Sequence, residues 1–381
     1  MRILVFDTKL SGHHLEYLHH LYMMAVDHPE DEFIFVVPKS FGDVKGRLYW
    51  PFAGNIQYDY INKESSLQDG VGLIRQLRKS IYEAHLLNKY ALKHHANNVF
   101  AINLMSLVPF GLLFFSKGYA ISGIIYQIYL YKYDEMRLLK KLIERLKYSI
   151  ITKCGCFKTV FILNDSRSAK ELNSIYKTNK FKYLVDPYMP ITPSGKHIRS
   201  LYGIDSAQRL LIHIGSMEKR KGTMLILDSL RLLTPEEKKK LVFFFAGRVS
   251  DEIKTPFYDA VKDCNDVRII VKDEYCGFDF FADLCSEADA VLMPYLTSSM
   301  SSGIIGYASQ FMTPVISTSH GLIGNLVRQY KLGLLLDDTD TDSLLRAYKR
   351  ILSNDYGASS DCYCETHTIE AFNMTIYNSF K

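Results

Sequence analysis

Short apolar runs alternate along this chain with loops of small residues and with longer stretches whose apolar positions recur at helical spacing. In the first half, the runs at 3–6, 33–37, 55–60, 99–102, 122–126 and 160–163 predict strands. After the first of them, Leu15, Leu18, Leu21, Tyr22 and Ala25 line one face of a helix over 13–27, and a longer helix is predicted over 71–95. Asn164, Asp165 and Ser166 then form a strong start signal for another helix. The second half repeats the rhythm, with strands at 210–214, 241–245, 267–271, 290–293, 314–317 and 332–336 and helices over 223–233, 278–287, 343–352 and 369–380. Strands alternating with helices predict an α/β fold built on parallel sheets. Between the halves, Pro187, Pro190, Pro193 and Gly195 interrupt both periods and mark a linker. The domains expected are 1–190 and 191–365, with a C-terminal helix over 366–381 returning to the first.

The stretch 291–315 organises the second half. A buried strand ends at a corner made by Pro294 and Tyr295, and a loop containing Ser299, Ser301 and Ser302 leads through Gly303 and Ile304 into a helix. That layout sets unpaired backbone N–H groups and the positive end of a helix dipole over the carboxyl edge of a sheet, where a phosphate is stabilised. A second glycine turn follows the strand at 210–214: Gly215 and Ser216, then the cations Lys219, Arg220 and Lys221 at a helix entrance. Cations there neutralise a diphosphate, Arg by paired contacts and Lys as a point charge. Gly247, Arg248, Lys272, Tyr275 and Pro294 end or follow neighbouring strands and are further candidates to meet a ligand at this edge. In the first half, the same edge collects Gly12 as a candidate for the diphosphate, and His13, His14, Asn103 and Gln127 as candidates for the sugar and acceptor side, His13 being placed to act in transfer.

Composition narrows the class. A chain of 381 residues, 48% hydrophobic and 23% charged, suits two globular domains. No apolar run is long enough to span a membrane, and residues 1–7 read as a first strand rather than a signal peptide. The 7 cysteines are scattered apart from the close pairs Cys154/Cys156 and Cys362/Cys364, which suits reduced thiols in a cytoplasm. His13, His14, His19 and His20 cluster without the convergent ligands of a metal site, so no metal is expected. A net charge of +5 permits attraction to anionic lipid or phosphate but does not indicate nucleic acid. Over 134–153, Leu138, Leu139, Leu142 and Leu146 recur at helical spacing among Arg137, Lys140, Lys141, Arg145 and Lys147. Such a helix either packs one face on a core or lies on an anionic membrane surface.

Gly215-Ser216, Lys221-Gly222, Ser301-Ser302-Gly303-Ile304 and Thr313-Pro314-Val315 together resemble the donor motif of the retaining nucleotide-sugar glycosyltransferases of family 4. The resemblance implies the GT-B architecture, two Rossmann-like domains facing across a cleft. It also implies that Lys221 holds the donor diphosphate. The chain departs from the family pattern at three places: Ser216 stands where an arginine is usual, and Ser299 and Tyr307 stand where the two glutamates of the motif fall. Arg220 is the candidate to replace the arginine, and Ser299 and Tyr307 to meet the sugar and the ribose; with a donor implied, Gly247, Arg248, Lys272, Tyr275 and Pro294 become candidates to hold its sugar or nucleoside.

The expected activity is transfer of a sugar from a nucleoside diphosphate sugar to a glycan, lipid-linked or small-molecule acceptor, with retention, needing no cofactor beyond the donor itself. Lys221, Arg220 and the helix start would stabilise the leaving diphosphate. The expected setting is cytoplasmic, at the inner face of the membrane, within polysaccharide biosynthesis. Two alternatives stay open: a nucleotide-sugar epimerase on the same architecture, and a binding or scaffold relative without turnover.

Overall fold

The computed structural model describes residues 1–10, 14–46, 48–61, 73–108, 115, 118–133, 136–356 and 362–381. The chain forms two compact units, Met1–Val185 with Ile369–Lys381, and Asp186–Thr368. The candidates Gly12 and His13 lie outside the described residues.

The first unit is built on a seven-stranded sheet. Its strands are β1 (Arg2–Phe6), β2 (Glu32–Pro38), β3 (Ile56–Ile61), β4 (Asn98–Ala101), β5 (Ala120–Ile125), β6 (Phe157–Leu163) and β7 (Phe181–Leu184). Their order is β3-β2-β1-β4-β5-β6-β7, every neighbouring pair parallel. Strands buried on both faces read as continuous apolar runs, and the alternation within each run divides the core. Leu4, Phe6, Ile34 and Val36 pack on one side, and Ile3, Val5, Phe33 and Phe35 on the other. The C-terminal helix Ile369–Asn378 completes the second side with Phe372 and Ile376, both fully buried. Strand β7 corrects the expectation that 160–163 ends the sheet. Its four residues alternate between buried ends and an exposed Lys182, a pattern too short to stand out, and it is held by register with Val160–Leu163 of β6.

The second unit has a six-stranded parallel sheet in the order β10-β9-β8-β11-β12-β13. The strands are β8 (Arg209–Ile214), β9 (Leu241–Ala246), β10 (Arg268–Lys272), β11 (Ala290–Met293), β12 (Val315–Thr318) and β13 (Gly333–Leu336). In both sheets the first strand lies inside, with the chain running outward to one side and then to the other. Such a reversal opens a crevice at the carboxyl ends of the central strands, where open α/β sheets bind ligands. In the second sheet, Ile214 pairs with Ala246 and Ala246 with Lys272, so β8, β9 and β10 end level.

Candidate functional site

Backbone geometry at the exit of β8 is set by glycine. Gly215 (φ +87°) and Gly247 (φ +133°) adopt conformations closed to most side chains. A Cβ added to Gly247 would stand 2.1 Å from the carbonyl oxygen of Gly215, so the two turns nest backbone against backbone. Gly222, left-handed at φ +73°, would likewise meet the Pro294 carbonyl oxygen at 2.1 Å. The Leu296 N–H donates to the Arg220 carbonyl at 2.9 Å. The turn carrying Lys219–Lys221 is therefore clamped to the exit of β11, which holds its cations near the serine loop.

Lys221 is a buried charged group at the exit of β8. Its Nζ lies 3.2 Å from where a Gly215 Cβ would be, and Ile304 Cδ1, in the first turn of the helix Gly303–Gln310, lies 3.3 Å from the same point. Only 9% of Lys221 is exposed, and burial pushes its pKa down to about 8; Glu218 raises it and Arg220 lowers it through space. An ammonium so placed lacks water and gains from any anion that reaches it.

Ser216 and Arg220 share a carboxylate that the sequence reading passed over. The Ser216 hydroxyl donates to Glu218 Oε1 at 2.7 Å, and the Arg220 guanidinium contacts Glu218 Oε2 at 3.2 Å. Arg220 also lies 5.8 Å from the ring centre of Tyr295. The carboxyl of Glu218 is lowered on balance, burial opposed by the Ser216 hydroxyl and by the charges of Arg220 and Lys221. The signal available was an acidic residue among three cations, which holds the loop in shape when no anion is present.

At the helix start, Ser302 is extended (φ −139°, ψ 120°) and its side chain makes no capping bond. Its hydroxyl lies 3.2 Å from the Tyr295 hydroxyl instead, and burial pushes the Tyr295 phenol up to about 12. The Ile305 N–H donates to the Ser302 carbonyl at 3.1 Å, which leaves the N–H groups of Gly303 and Ile304 as the donors the helix start can offer a ligand. Ser298 is committed elsewhere, its hydroxyl accepting from the Ile323 N–H at 2.9 Å at the start of the next helix. Ser299 is 2% exposed, and its hydroxyl has no partner among the described residues. Ser301, at the same loop, is half-buried.

Tyr307 packs its ring on Phe278 and Phe281 at 5.9 and 6.0 Å, one turn along the helix from its start. Lys272 is paired with Glu274 and sits 5.1 Å from the Phe280 ring centre. Arg248 and Tyr275 are exposed, and the Arg248 carbonyl accepts from the Met217 N–H at 2.8 Å.

Beneath the lysine turn is a buried imidazole that the sequence reading also missed. His213 on β8 stands 2.9 Å from the Leu292 carbonyl through Nδ1 and 3.0 Å from the Thr223 hydroxyl through Nε2. The Thr223 hydroxyl is 3.1 Å from the Glu218 carbonyl. Burial pushes the His213 pKa down to about 4. A neutral ring thus links β8, β11 and the lysine turn.

In the first unit, His14 opens the helix His14–Val26, and its Nδ1 lies 2.7 Å from the Oδ2 of Asp7, the buried residue that follows β1. Its ring is 5.6 Å from that of Tyr126. Asn103 follows β4, its carbonyl accepting from the Ser106 hydroxyl at 2.9 Å, and Gln127 is exposed beyond β5. Among the described residues, no group of three or more His, Cys, Asp or Glu side chains could hold a metal ion.

Known proteins resemble this chain at two levels. Residues 208–354 match the family model described as glycosyl transferases group 1. No curated protein matches the chain. Among solved structures, WaaG, a glycosyltransferase involved in lipopolysaccharide biosynthesis, aligns over 100% of both chains at 15% identity with a TM-score of 0.69. Sucrose-phosphate synthase of Thermosynechococcus elongatus aligns over 99% of this chain and 97% of its own at 12% identity and a TM-score of 0.71. Anabaena HepE in complex with UDP aligns over 99% of this chain and 98% of its own at 13% identity and a TM-score of 0.69. The chain has the two-domain α/β fold of the GT-B glycosyltransferases, and its similarity to an enzyme family lies in residues 208–354, within the second unit.

Proposed function

We propose that the chain transfers a glycosyl group from a nucleoside diphosphate sugar to a glycan, lipid-linked or small-molecule acceptor, with retention of configuration. The observation that carries this reading is the buried Lys221 ammonium over Gly215, beside the first turn of the helix Gly303–Gln310. Charge develops on the diphosphate as the glycosidic bond breaks. Lys221, the N–H groups of Gly303 and Ile304, and Arg220, once released from Glu218, oppose that charge where it forms. The departing phosphate takes the acceptor's proton, so no protein nucleophile is required. These cations and the helix dipole serve in place of a metal ion, so chelation leaves the rate unchanged. Ser299 is the candidate to meet the transferred sugar, since its buried hydroxyl has no partner among the described residues. HepE structures with UDP and with UDP-glucose make uridine donors the first to try.

The helix Leu138–Lys153 supports a membrane setting. Leu138, Leu139, Leu142 and Leu146 are between 57% and 80% exposed, and Arg137, Lys140 and Arg145 stand exposed among them. An apolar stripe flanked by cations fits an anionic lipid surface at the cytoplasmic face, and it suits polysaccharide biosynthesis on a lipid-linked acceptor. No helix among the described residues is long and apolar enough to cross a membrane.

The test is incubation with a panel of nucleotide sugars, reading diphosphate release with and without methyl glycosides, and the anomeric configuration of the product by NMR. Donor hydrolysis accelerated by a glycoside, with the anomeric centre retained, is expected. Donor binding without turnover under every glycoside would favour a scaffold, a reading to which the replaced glutamates at Ser299 and Tyr307 lend weight. Free sugar of inverted ring stereochemistry would favour an epimerase.

A further inference from the structure

Glu218 sets a negative charge among the groups proposed to hold the donor diphosphate. It stands at the entry of the turn Lys219–Lys221. Its two carboxylate oxygens are divided between Ser216, at 2.7 Å, and the Arg220 guanidinium, at 3.2 Å. An incoming phosphate would ask for these same two donors, so the carboxylate already fills the place of part of a ligand.

The backbone beneath these side chains is fixed. The Glu218 carbonyl accepts from the Lys221 N–H at 3.0 Å and from the Thr223 hydroxyl at 3.1 Å. Met217 is tied on both sides, its N–H to the Arg248 carbonyl at 2.8 Å and its carbonyl to the Ser250 N–H at 2.9 Å. The Arg220 carbonyl holds the Leu296 N–H at 2.9 Å. The Glu218 and Arg220 side chains, by contrast, are each 35% exposed. An exchange of partners here therefore needs only rotation about side-chain bonds, which is fast for groups in contact with water.

Arg220 has a second neighbour on the way to the helix start. Its guanidinium lies 5.8 Å from the Tyr295 ring centre, and the Tyr295 hydroxyl lies 3.2 Å from that of Ser302. Leaving Glu218 does not strip the guanidinium of company, because the face of an aromatic ring attracts a cation.

We propose that Glu218 is an exchangeable counter-ion, which yields Arg220 to the diphosphate of an arriving donor and reclaims it as the nucleoside diphosphate product leaves. The inference rests on the glycosyl-transfer reading for the identity of the anion. Glu218 is in these terms a positioning residue: it acts on the ligand through Arg220. Every anion that uses Arg220 must first break the Glu218 pair, and its affinity is lowered by what that pair is worth. A pair exposed to this degree accounts for about fivefold in a binding constant.

Calorimetry on the full chain, with UDP and inorganic pyrophosphate as probes, tests it. Glu218→Gln keeps the side-chain length and an acceptor for Ser216 but removes the charge. It should bind UDP about fivefold more tightly and, in turnover, be inhibited by UDP at a correspondingly lower concentration, with thermal unfolding as the control for folding. A merely structural role would loosen binding instead. Arg220→Gln should weaken UDP binding, and adding Glu218→Gln to it should then change affinity by less than about twofold, because the guanidinium competed for is gone. Unchanged or weaker UDP binding in Glu218→Gln overturns the proposal. So does a gain that persists undiminished beside Arg220→Gln, which would mark plain repulsion between Glu218 and the ligand. Binding of neither UDP nor pyrophosphate by any of these proteins would bring down the diphosphate reading of the turn and this proposal with it, whereas diphosphate binding indifferent to Glu218→Gln would sink this proposal alone.

Discussion

Lys221 and Ile304 meet over Gly215: the Nζ of one and the Cδ1 of the other stand 3.2 and 3.3 Å from the position its missing Cβ would fill. Two segments separated by some eighty residues thus converge on one backbone turn at the end of β8. The ammonium and the helix start would be parted by any side chain there, and the proposed diphosphate site depends on their nearness.

Lys221→Met separates binding from stability. Losing the cation should abolish diphosphate release from a nucleotide sugar and weaken UDP binding by at least tenfold, read by calorimetry. The unliganded protein should unfold at the same or a higher temperature, because a buried ammonium gives way to an apolar chain of similar length.

The lowered Lys221 pKa, about 8, sets a pH window. Below it the free protein already carries the ammonium and UDP affinity is flat. Above it, binding must take up a proton, so affinity falls by up to tenfold per pH unit towards the ordinary lysine value. Unliganded stability moves the other way: the unfolded chain holds the proton more tightly, so stability rises as pH climbs through the same window. UDP titrations from neutral to alkaline pH check the first trend, and the slope should vanish in Lys221→Met.

Glycine substitutions should rank by what the new Cβ meets. Gly247→Ala drives a methyl to 2.1 Å from the Gly215 carbonyl oxygen at φ +133°, and a stability loss on the order of 3 kcal/mol is expected. Gly215→Ala meets only the flexible ends of Lys221 and Ile304, so it should lose less stability and more nucleotide affinity. Thermal unfolding and UDP binding on both variants decide the order.

His213 and His367 are both pushed down to about 4 by burial. The unfolded chain therefore binds more protons as pH falls below the ordinary histidine value, and stability is lost between there and about 4. Denaturant unfolding across that range should show the slope, and His213→Gln should reduce it while His367 maintains the remainder.

Vesicle co-sedimentation tests the exposed leucines. The full chain should bind vesicles containing phosphatidylglycerol and not pure phosphatidylcholine. Leu139→Ser with Leu142→Ser should weaken binding at least tenfold, given the transfer energy of two leucine side chains, without changing the unfolding temperature. Retained binding would place the contact elsewhere.

Much of the architecture was legible because strands buried on both faces must be continuously apolar, and those runs are visible without coordinates. Strand β7 escaped because four residues on a sheet edge carry too little pattern, and pairing with β6 is what makes Phe181–Leu184 a strand. In the helix Leu138–Lys153 the period was plain. Which apolar residues are covered was not: Tyr148 and Ile151 are buried and the leucines are exposed.

For the site, chain order alone was enough to mark Gly215, Lys221, Ser302 and Gly303 as a glycine turn, a cation and a helix start, since each is a local feature a few residues long. Packing decided the rest. That Glu218 holds Ser216 and Arg220, that His14 rests on Asp7, and that His213 is buried beneath the lysine turn are facts of neighbours brought together by the fold. Burial depends on what lies across from a side chain, and a linear sequence does not state what lies across; only the folded sheets do.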